Sequence, residues 1–228
     1  MAELISELRV ERIRANLADV REQIDAAVRR SPVTRQAQER SGVELLAAVK
    51  YVARDDLPLL AEAGVTLVGE NRAQELQAKH DAHGELFEWD FIGQLQSRRV
   101  KEIVPYARLI HSVASDSSLH ELERHRAIAR RDLQILVEVN IAGEAGKAGV
   151  EPEHLEEFIA RSPVPVAGLM TMPPLASEPD ASRRWFAALR QLAERYELEQ
   201  LSMGTSQDYV VAVEEGATIV RIGTRLYT

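Results

Sequence analysis

The sequence of 228 residues contains no cysteine and only four lysines. Without cysteine, a disulfide framework, a thiolate metal site and a cysteine nucleophile are all excluded. No stretch approaches the roughly 20 apolar residues that a membrane-spanning helix needs. The first 30 residues carry interspersed charges where a signal peptide would have an apolar core. We therefore expect a cytoplasmic protein that does not contact a membrane.

Positive charge is also in the minority, with 28 Lys and Arg against 36 Asp and Glu and a formal net charge of -8. A surface of this sign repels the phosphates of nucleic acids, so we expect no nucleic-acid partner. No pair of the six histidines stands at a metal-ligand spacing with a carboxylate, so we expect no metal site. Hydrophobic residues make up 45% of the chain, enough to bury one core, and the length suits a single domain over 1–228.

A leading helix within residues 1–30 is predicted by apolar residues at helical spacing between Leu4 and Val28. The next segment, residues 31–42, contains Ser31-Pro32 and several charged residues, which predicts an exposed connection.

From Val43 onward, short apolar runs alternate with amphipathic stretches. Eight runs are predicted to be strands: Leu45–Val49, Val65–Val68, Trp89–Ile92, Leu109–Val113, Ile135–Ile141, Val164–Met170, Leu201–Met203 and Thr218–Ile222. Helical patterns such as Leu57–Ala63, Ala73–His80 and Trp185–Tyr196 lie between them. This alternation predicts an α/β protein with a single (β/α)8 TIM-type barrel and an extra N-terminal helix. An open doubly wound sheet is the alternative.

Lys50 directly follows the first predicted strand. In a barrel, the loops after the strands converge over one face, where functional groups collect. An amine that loses water there becomes a competent nucleophile toward an aldehyde, as a Schiff base requires. A structural ion pair with Glu70 or another carboxylate fits the same position equally well.

Two turns rich in glycine and hydroxyl groups follow the last two predicted strands. The first contains Ser202-Met203-Gly204-Thr205-Ser206 and the second Arg221-Ile222-Gly223-Thr224. Phosphate sites of barrels commonly use these turns, because glycine lets backbone N–H groups approach an oxyanion and hydroxyls add donors. Either turn alone is ordinary turn chemistry, with Ser206 capping the next helix. The two together, beside a strand-end lysine, predict a phosphate site.

Eight short motifs in order resemble the family of pyridoxal phosphate homeostasis proteins, whose fold is that of the alanine racemase amino-terminal barrel. They are Ala48-Val49-Lys50, Gly69-Glu70-Asn71, Phe91-Ile92-Gly93-Gln94-Leu95-Gln96, Ile110-His111-Ser112-Val113, Val139-Asn140-Ile141, Gly168-Leu169-Met170-Thr171, Leu201-Ser202-Met203-Gly204 and Val220-Arg221-Ile222-Gly223-Thr224. The resemblance runs from about Val43 to Arg225, most of the chain. Ala114, Thr205 and the loop Gly143 to Gly149 depart from the usual pattern, which leaves loop contacts with ligands or partners open.

The resemblance implies a cofactor, pyridoxal 5′-phosphate (PLP), held as a Schiff base on Lys50. It implies that the phosphate is surrounded by five residues of the two turns: Ser202, Gly204, Ser206, Gly223 and Thr224. It also implies that Asn71 and Arg221 line the same pocket and that Met203 packs near the cofactor ring.

Barrel racemases of similar fold take a catalytic group from a second domain and a dimer partner. This chain ends at Thr228, soon after the eighth predicted strand, so we expect neither and predict a monomer. The last two strands offer Ser202 and Arg221 in place of a carboxylate for the pyridine nitrogen. Such a partner leaves the nitrogen largely unprotonated and the ring a weak electron sink.

The resemblance therefore favours a PLP carrier or reservoir that serves intracellular PLP homeostasis, has no catalytic residue and has PLP-dependent apoenzymes as candidate recipients. One alternative is an amino-acid racemase that uses Lys50 with His111 or Tyr51 as the second base. Another is a barrel that binds a different phosphorylated metabolite without covalent chemistry.

Overall fold

A closed barrel of eight parallel strands forms the centre of the computed structural model, which describes residues 4–5, 7–33 and 42–228. Each strand pairs with the next in the chain, and β1 also pairs with β8. The strands are β1 (Glu44–Ala48), β2 (Leu67–Glu70), β3 (Glu88–Phe91), β4 (Leu109–Val113), β5 (Gln134–Glu138), β6 (Val166–Met170), β7 (Gln200–Thr205) and β8 (Ile219–Ile222). This architecture confirms the predicted (β/α)8 barrel, and the open sheet is wrong.

Helices alternate with these strands along the chain. They are α1 (Val10–Arg30), α2 (Leu57–Glu62), α3 (Ala73–His83), α4 (Val100–Ile103), α5 (Asp116–Arg124), α6 (Leu155–Ala160), α7 (Arg183–Arg195), α8 (Tyr209–Glu214) and α9 (Thr224–Tyr227). That residues 1–228 constitute one domain stays a prediction.

The strands have mostly apolar sequences because other parts of the protein cover both of their faces. One face of each strand points into the barrel, where an apolar cluster includes Leu46, Leu109, Leu136 and Ile219. The other face packs against the outer helices. Gly168 of β6 has no space for a side chain, since a Cβ there would lie 1.9 Å from the backbone oxygen of Gln200.

The leading helix α1 covers the barrel wall at the seam between the first and last strands. It packs against α2, α8 and α9, and so takes the position of an eighth outer helix, because α9 itself is only four residues long. A stripe of Ile13, Leu17, Val20 and Ile24 is buried in this contact. The amide of Asn16 donates to the carbonyl oxygens of Leu226 and Thr228, which ties α1 to the end of the chain.

The leading helix is thus confirmed, but it begins at Val10 rather than near Leu4. Ahead of it, Ile5 donates its backbone N–H to the carbonyl of Tyr51 at 2.9 Å, and Glu7 adopts a left-handed φ of 61°. This tertiary contact holds the segment out of the helix. Of the connection predicted over 31–42, residues 34–41 lie outside the described residues.

Within the described ranges, no helix has the length and apolar character to cross a bilayer. In the same part of the chain, no three His, Asp or Glu side chains come together in a group that could hold a metal ion.

Candidate functional site

A cavity of about 250 Å³ opens at the carboxyl end of the barrel. Its walls come from the loops after several strands, as expected for this fold. Of the nine residues predicted to hold the cofactor, five line it: Lys50, Asn71, Arg221, Gly223 and Thr224. Further wall residues that we had not selected include Ile5, Ile92, Met170 and Tyr227. We call this space the Lys50 cavity.

Lys50 lies in the turn after β1, half-buried, with its amine 4.2 Å from the centre of the Tyr51 ring. Among the described residues it forms no ion pair: Glu70, its suggested partner, is bound by Lys79. The ion-pair interpretation of Lys50 with Glu70 is therefore wrong. The amine instead lines the cavity without a neutralising carboxylate in the described part of the chain.

Lys79 and Glu70 form a fully buried ion pair behind the cavity. Lys79 Nζ lies 2.6 Å from Glu70 Oε2 and donates to the carbonyl oxygen of Val49 at 2.7 Å. Glu70 Oε1 accepts the backbone N–H groups of Asn71 and Arg72. The pair thus connects the backbone just before Lys50 to the backbone of Asn71, just after the neighbouring strand β2. Sequence reasoning missed Lys79, although residues 73, 76 and 79 share the buried face of α3.

Asn71 presents an amide to the Lys50 cavity. Its Oδ1 is buried and has no hydrogen-bond partner among the described residues. A buried acceptor without a partner costs about 1–3 kcal/mol, so the position favours a ligand or water that supplies a hydrogen. Because amide oxygen and nitrogen exchange places on rotation, the same side chain can offer a donor instead.

The two turns after β7 and β8 lie side by side, as predicted. The backbone N–H of Gly223 donates to Ser206 Oγ at 3.1 Å and joins them. Ser206 does not cap the next helix: Asp208 stands at the N-cap of α8 and accepts the N–H of Thr205. Gly204 has a left-handed φ of 88° and packs closely on Tyr209 and Ala212. The Ser206 hydroxyl therefore faces the second turn and keeps its hydrogen for another acceptor.

Ser202 and Met203 lie behind the cavity wall. Both are fully buried, and successive side chains of β7 point to opposite faces. Met203 joins the apolar layer between strands and helices, and the methionines that line the cavity are Met170 and Met172. Ser202 points into the barrel, where its hydroxyl contacts His111 and Arg221.

Arg221 brings a buried positive charge to the cavity. Its Nη1 donates to Ser202, and its Nη2 donates to the carbonyl of Thr171 and to the sulfur of Met172. Burial lowers the pKa of Arg221 to about 10, so the guanidinium stays charged at neutral pH. No acceptor for Nε is found among the described residues, which leaves that N–H for a ligand.

A second cavity of about 550 Å³ adjoins the first. It lies between the loop of residues 172–179 and the turn of residues 204–208, and it shares Met172, Thr205 and Arg221 with the Lys50 cavity. Leu175, on its rim, is 87% exposed. The Lys50 cavity therefore has a neighbouring space on the far side of Arg221.

Comparison with known proteins identifies relatives along nearly the whole chain. The family model described as alanine racemase, N-terminal domain, matches residues 9–228. A pyridoxal phosphate homeostasis protein of Aquifex aeolicus is 41% identical over 209 residues, covering 84% of this chain and 91% of the relative. One of Vibrio cholerae is 33% identical over 229 residues, covering 94% and 95%.

Solved structures agree with these relationships. PipY of Synechococcus elongatus, solved with PLP bound, superposes with a TM-score of 0.76 at 28% identity and covers 95% of this chain and 100% of PipY. Alanine racemase of Corynebacterium glutamicum superposes with a TM-score of 0.66 at 17% identity, with 99% of this chain and 63% of the racemase covered. The racemase shows the fold alone. This chain therefore belongs to the alanine racemase N-terminal domain family and, within it, to the pyridoxal phosphate homeostasis proteins.

Proposed function

We propose that this protein binds PLP in the Lys50 cavity, holds it as a Schiff base on Lys50 and serves PLP homeostasis as a carrier or reservoir, without turning over a substrate. The observation that carries the proposal is the position of the Lys50 amine. It lines one cavity together with Arg221, Gly223 and Thr224 and has no carboxylate partner among the described residues. The relatives are named pyridoxal phosphate homeostasis proteins, and PipY has been solved with PLP bound.

The chemistry of the wall residues fits PLP. When bound, PLP supplies an aldehyde that condenses with an amine and a ring that withdraws electrons. Lys50 would provide the amine and Asn71, with its unpartnered Oδ1, a polar contact. Ile92 and Met170 would provide apolar surface for the ring.

The two turns would bind the phosphate. Ser206 accepts from Gly223 and still has its own O–H to donate, and Thr224 adds an exposed hydroxyl at the cavity wall. Arg221 would donate its Nε–H toward the ring nitrogen. A donor that is charged at neutral pH would keep the ring nitrogen unprotonated and weaken the ring as an electron sink, which suits storage better than catalysis.

Covalent trapping tests this proposal directly. We expect protein incubated with PLP to gain visible absorption, and borohydride reduction to fix one phosphopyridoxyl group per chain, seen as a mass increase. Peptide mapping should place it on Lys50, and the chain's four lysines make the assignment unambiguous. Reversible binding without a trapped adduct would favour the alternative of another phosphorylated ligand, and an adduct on Lys101 or Lys147 would refute the Lys50 assignment.

The racemase alternative needs a second base within hydrogen-bond reach of a substrate. His111 stands among the residues around the Lys50 cavity, but its side chain is fully buried and both of its ring nitrogens are engaged by Asp90 and Ser202. Tyr227 also lines the cavity, but burial raises the pKa of its hydroxyl, which already donates to the carbonyl of Ala48. Tyr227 is therefore a poor base at neutral pH. Tyr51, with its ring beside the Lys50 amine, is the remaining candidate.

We therefore expect no exchange of the α-proton when PLP-loaded protein is incubated with L- or D-amino acids in deuterated water and followed by proton NMR. Tyr51→Phe is the matched variant, because it removes only the hydroxyl. Exchange in the wild-type protein that disappears in Tyr51→Phe would identify an enzyme and contradict the carrier proposal. Transfer of PLP to apoenzymes, the monomeric state and the cytoplasmic location stay predictions.

A further inference from the structure

A row of buried polar side chains crosses the interior of the barrel. Asp90 of β3, His111 of β4, Ser202 of β7 and Arg221 of β8 all point inward, and none is more than 7% exposed. Their neighbours on the inner face are mostly leucines. Four polar groups in such surroundings are tolerated only if they satisfy one another.

The contacts in this row are continuous. Asp90 Oδ2 lies 3.2 Å from His111 Nε2, and His111 Nδ1 lies 2.8 Å from Ser202 Oγ. Arg221 Nη1 donates to the same Ser202 oxygen. At the other end, Arg108 donates to both carboxylate oxygens of Asp90, at 3.0 and 2.9 Å.

The donor and acceptor role of each group in the row can be assigned. Although burial opposes ionisation of Asp90, hydrogen bonds from His111 and Arg108 keep the pKa of Asp90 below its usual range. The carboxylate can only accept, so the hydrogen of His111 is on Nε2. Burial lowers the pKa of His111, so Nδ1 has no hydrogen and accepts the O–H of Ser202. The lone pairs of Ser202 are then directed at Arg221.

The sequence of groups Asp90, His111 and Ser202 matches that of a hydrolase triad, but the surroundings exclude a nucleophilic serine. Ser202 is 0% exposed, and its oxygen already accepts a hydrogen bond from a guanidinium. A nucleophile needs access to substrate and a free lone pair. The row therefore holds the guanidinium of Arg221 in place and does not activate Ser202 for nucleophilic attack.

We propose that Asp90 and His111 are positioning residues for Arg221: acting through Ser202, they orient its guanidinium toward the Lys50 cavity without placing a negative charge against it. In the described part of the chain, Arg221 forms no ion pair, and Arg108 neutralises Asp90 at the far end of the row. The inference rests on the proposed function, in which Arg221 contacts the PLP ring. It names the residues that set the environment of the ring nitrogen.

Breaking the row on either side of His111 tests the coupling. In Asp90→Asn an amide of the same shape can offer N–H where only an acceptor fits. Ser202→Ala removes the shared hydroxyl without changing charge. We expect each variant to shift the absorption maximum of bound PLP and to raise the Kd for PLP about tenfold, the loss typical of one buried hydrogen bond. Because both break the same row, the double variant should show no further effect.

The control is Thr218→Val, which removes another buried hydroxyl of the barrel that bonds only to Leu201 in the described structure. It should lower thermal stability but leave the spectrum and the Kd as in the wild type. Should Asp90→Asn fail to fold, His111→Gln replaces it in the double-variant comparison. Effects that add, or spectra and Kd values that stay unchanged, would overturn the positioning role.

Borohydride trapping of PLP on Lys50 is measured in every variant. A trapped adduct together with an unchanged spectrum refutes only the positioning role of Asp90 and His111. Absence of the adduct in the wild type refutes the proposed function.

Discussion

Lys50→Ala is expected to abolish both the visible absorption of PLP-treated protein and the adduct trapped by borohydride, while the fold stays intact. Alanine cannot form the covalent link, so only reversible contacts through Arg221 and the turn at Gly223 and Thr224 would remain. The side chain is half-buried, and its amine contacts the Tyr51 ring, a cation–π contact that contributes about 0.5–1 kcal/mol. Mass spectrometry after reduction measures the adduct, and thermal unfolding by circular dichroism measures the fold.

Lys101→Ala is the matched control, because Lys101 is an exposed lysine of α4. This variant should bind PLP on Lys50 to the same extent as the wild type, with one adduct per chain. A reduced adduct that persists in Lys50→Ala would show that the cofactor is attached elsewhere and would remove the central residue of the proposed site.

Lys79→Met is expected to cost about 3–5 kcal/mol of unfolding free energy, because it leaves Glu70 as an uncompensated buried charge. Lys79 is 2% and Glu70 0% exposed, so water cannot replace the ammonium group. The carbonyl of Val49 also loses the ammonium donor and keeps only the backbone N–H of Val52. Urea unfolding followed by circular dichroism gives the free energy.

The double variant Lys79→Met with Glu70→Gln should recover part of this loss, since removing both charges also removes the desolvation penalty. Lys101→Met changes an exposed lysine and should stay within about 0.5 kcal/mol of the wild type. If Lys79→Met proves as stable as Lys101→Met, the buried ion pair does not support the fold.

The barrel could be predicted from the sequence because parallel strands that are covered on both faces have short, continuous apolar sequences. All five residues of β4, Leu109–Val113, are buried, and its predicted bounds are confirmed. The start of α1 could not be predicted in this way. It depends on the bond between Ile5 and Tyr51, two residues far apart in the chain.

The candidate site likewise has some residues that local sequence predicts and others that depend on tertiary contacts. Lys50 and the paired turns follow from their places at strand ends, which local sequence reveals. The partner of Glu70 does not, because choosing between Lys50 and Lys79 requires knowing which side of the strand each lysine reaches. The inward direction of Ser202 and the outward direction of Met203 could have been read from strand alternation once the bounds of β7 were known.

The pairing of β1 with β8 imposes an order on biosynthesis. Lys50 is synthesised before Arg221, so a nascent chain that lacks β8 has an unpaired edge on β1 and no complete Lys50 cavity. Such long-range closure is slow compared with local helix formation. A ligand of this cavity can bind only after β8 has closed the barrel. Its binding energy then stabilises only molecules whose barrel is closed. Ligand occupancy would in this way distinguish a closed barrel from translation products that end before β8.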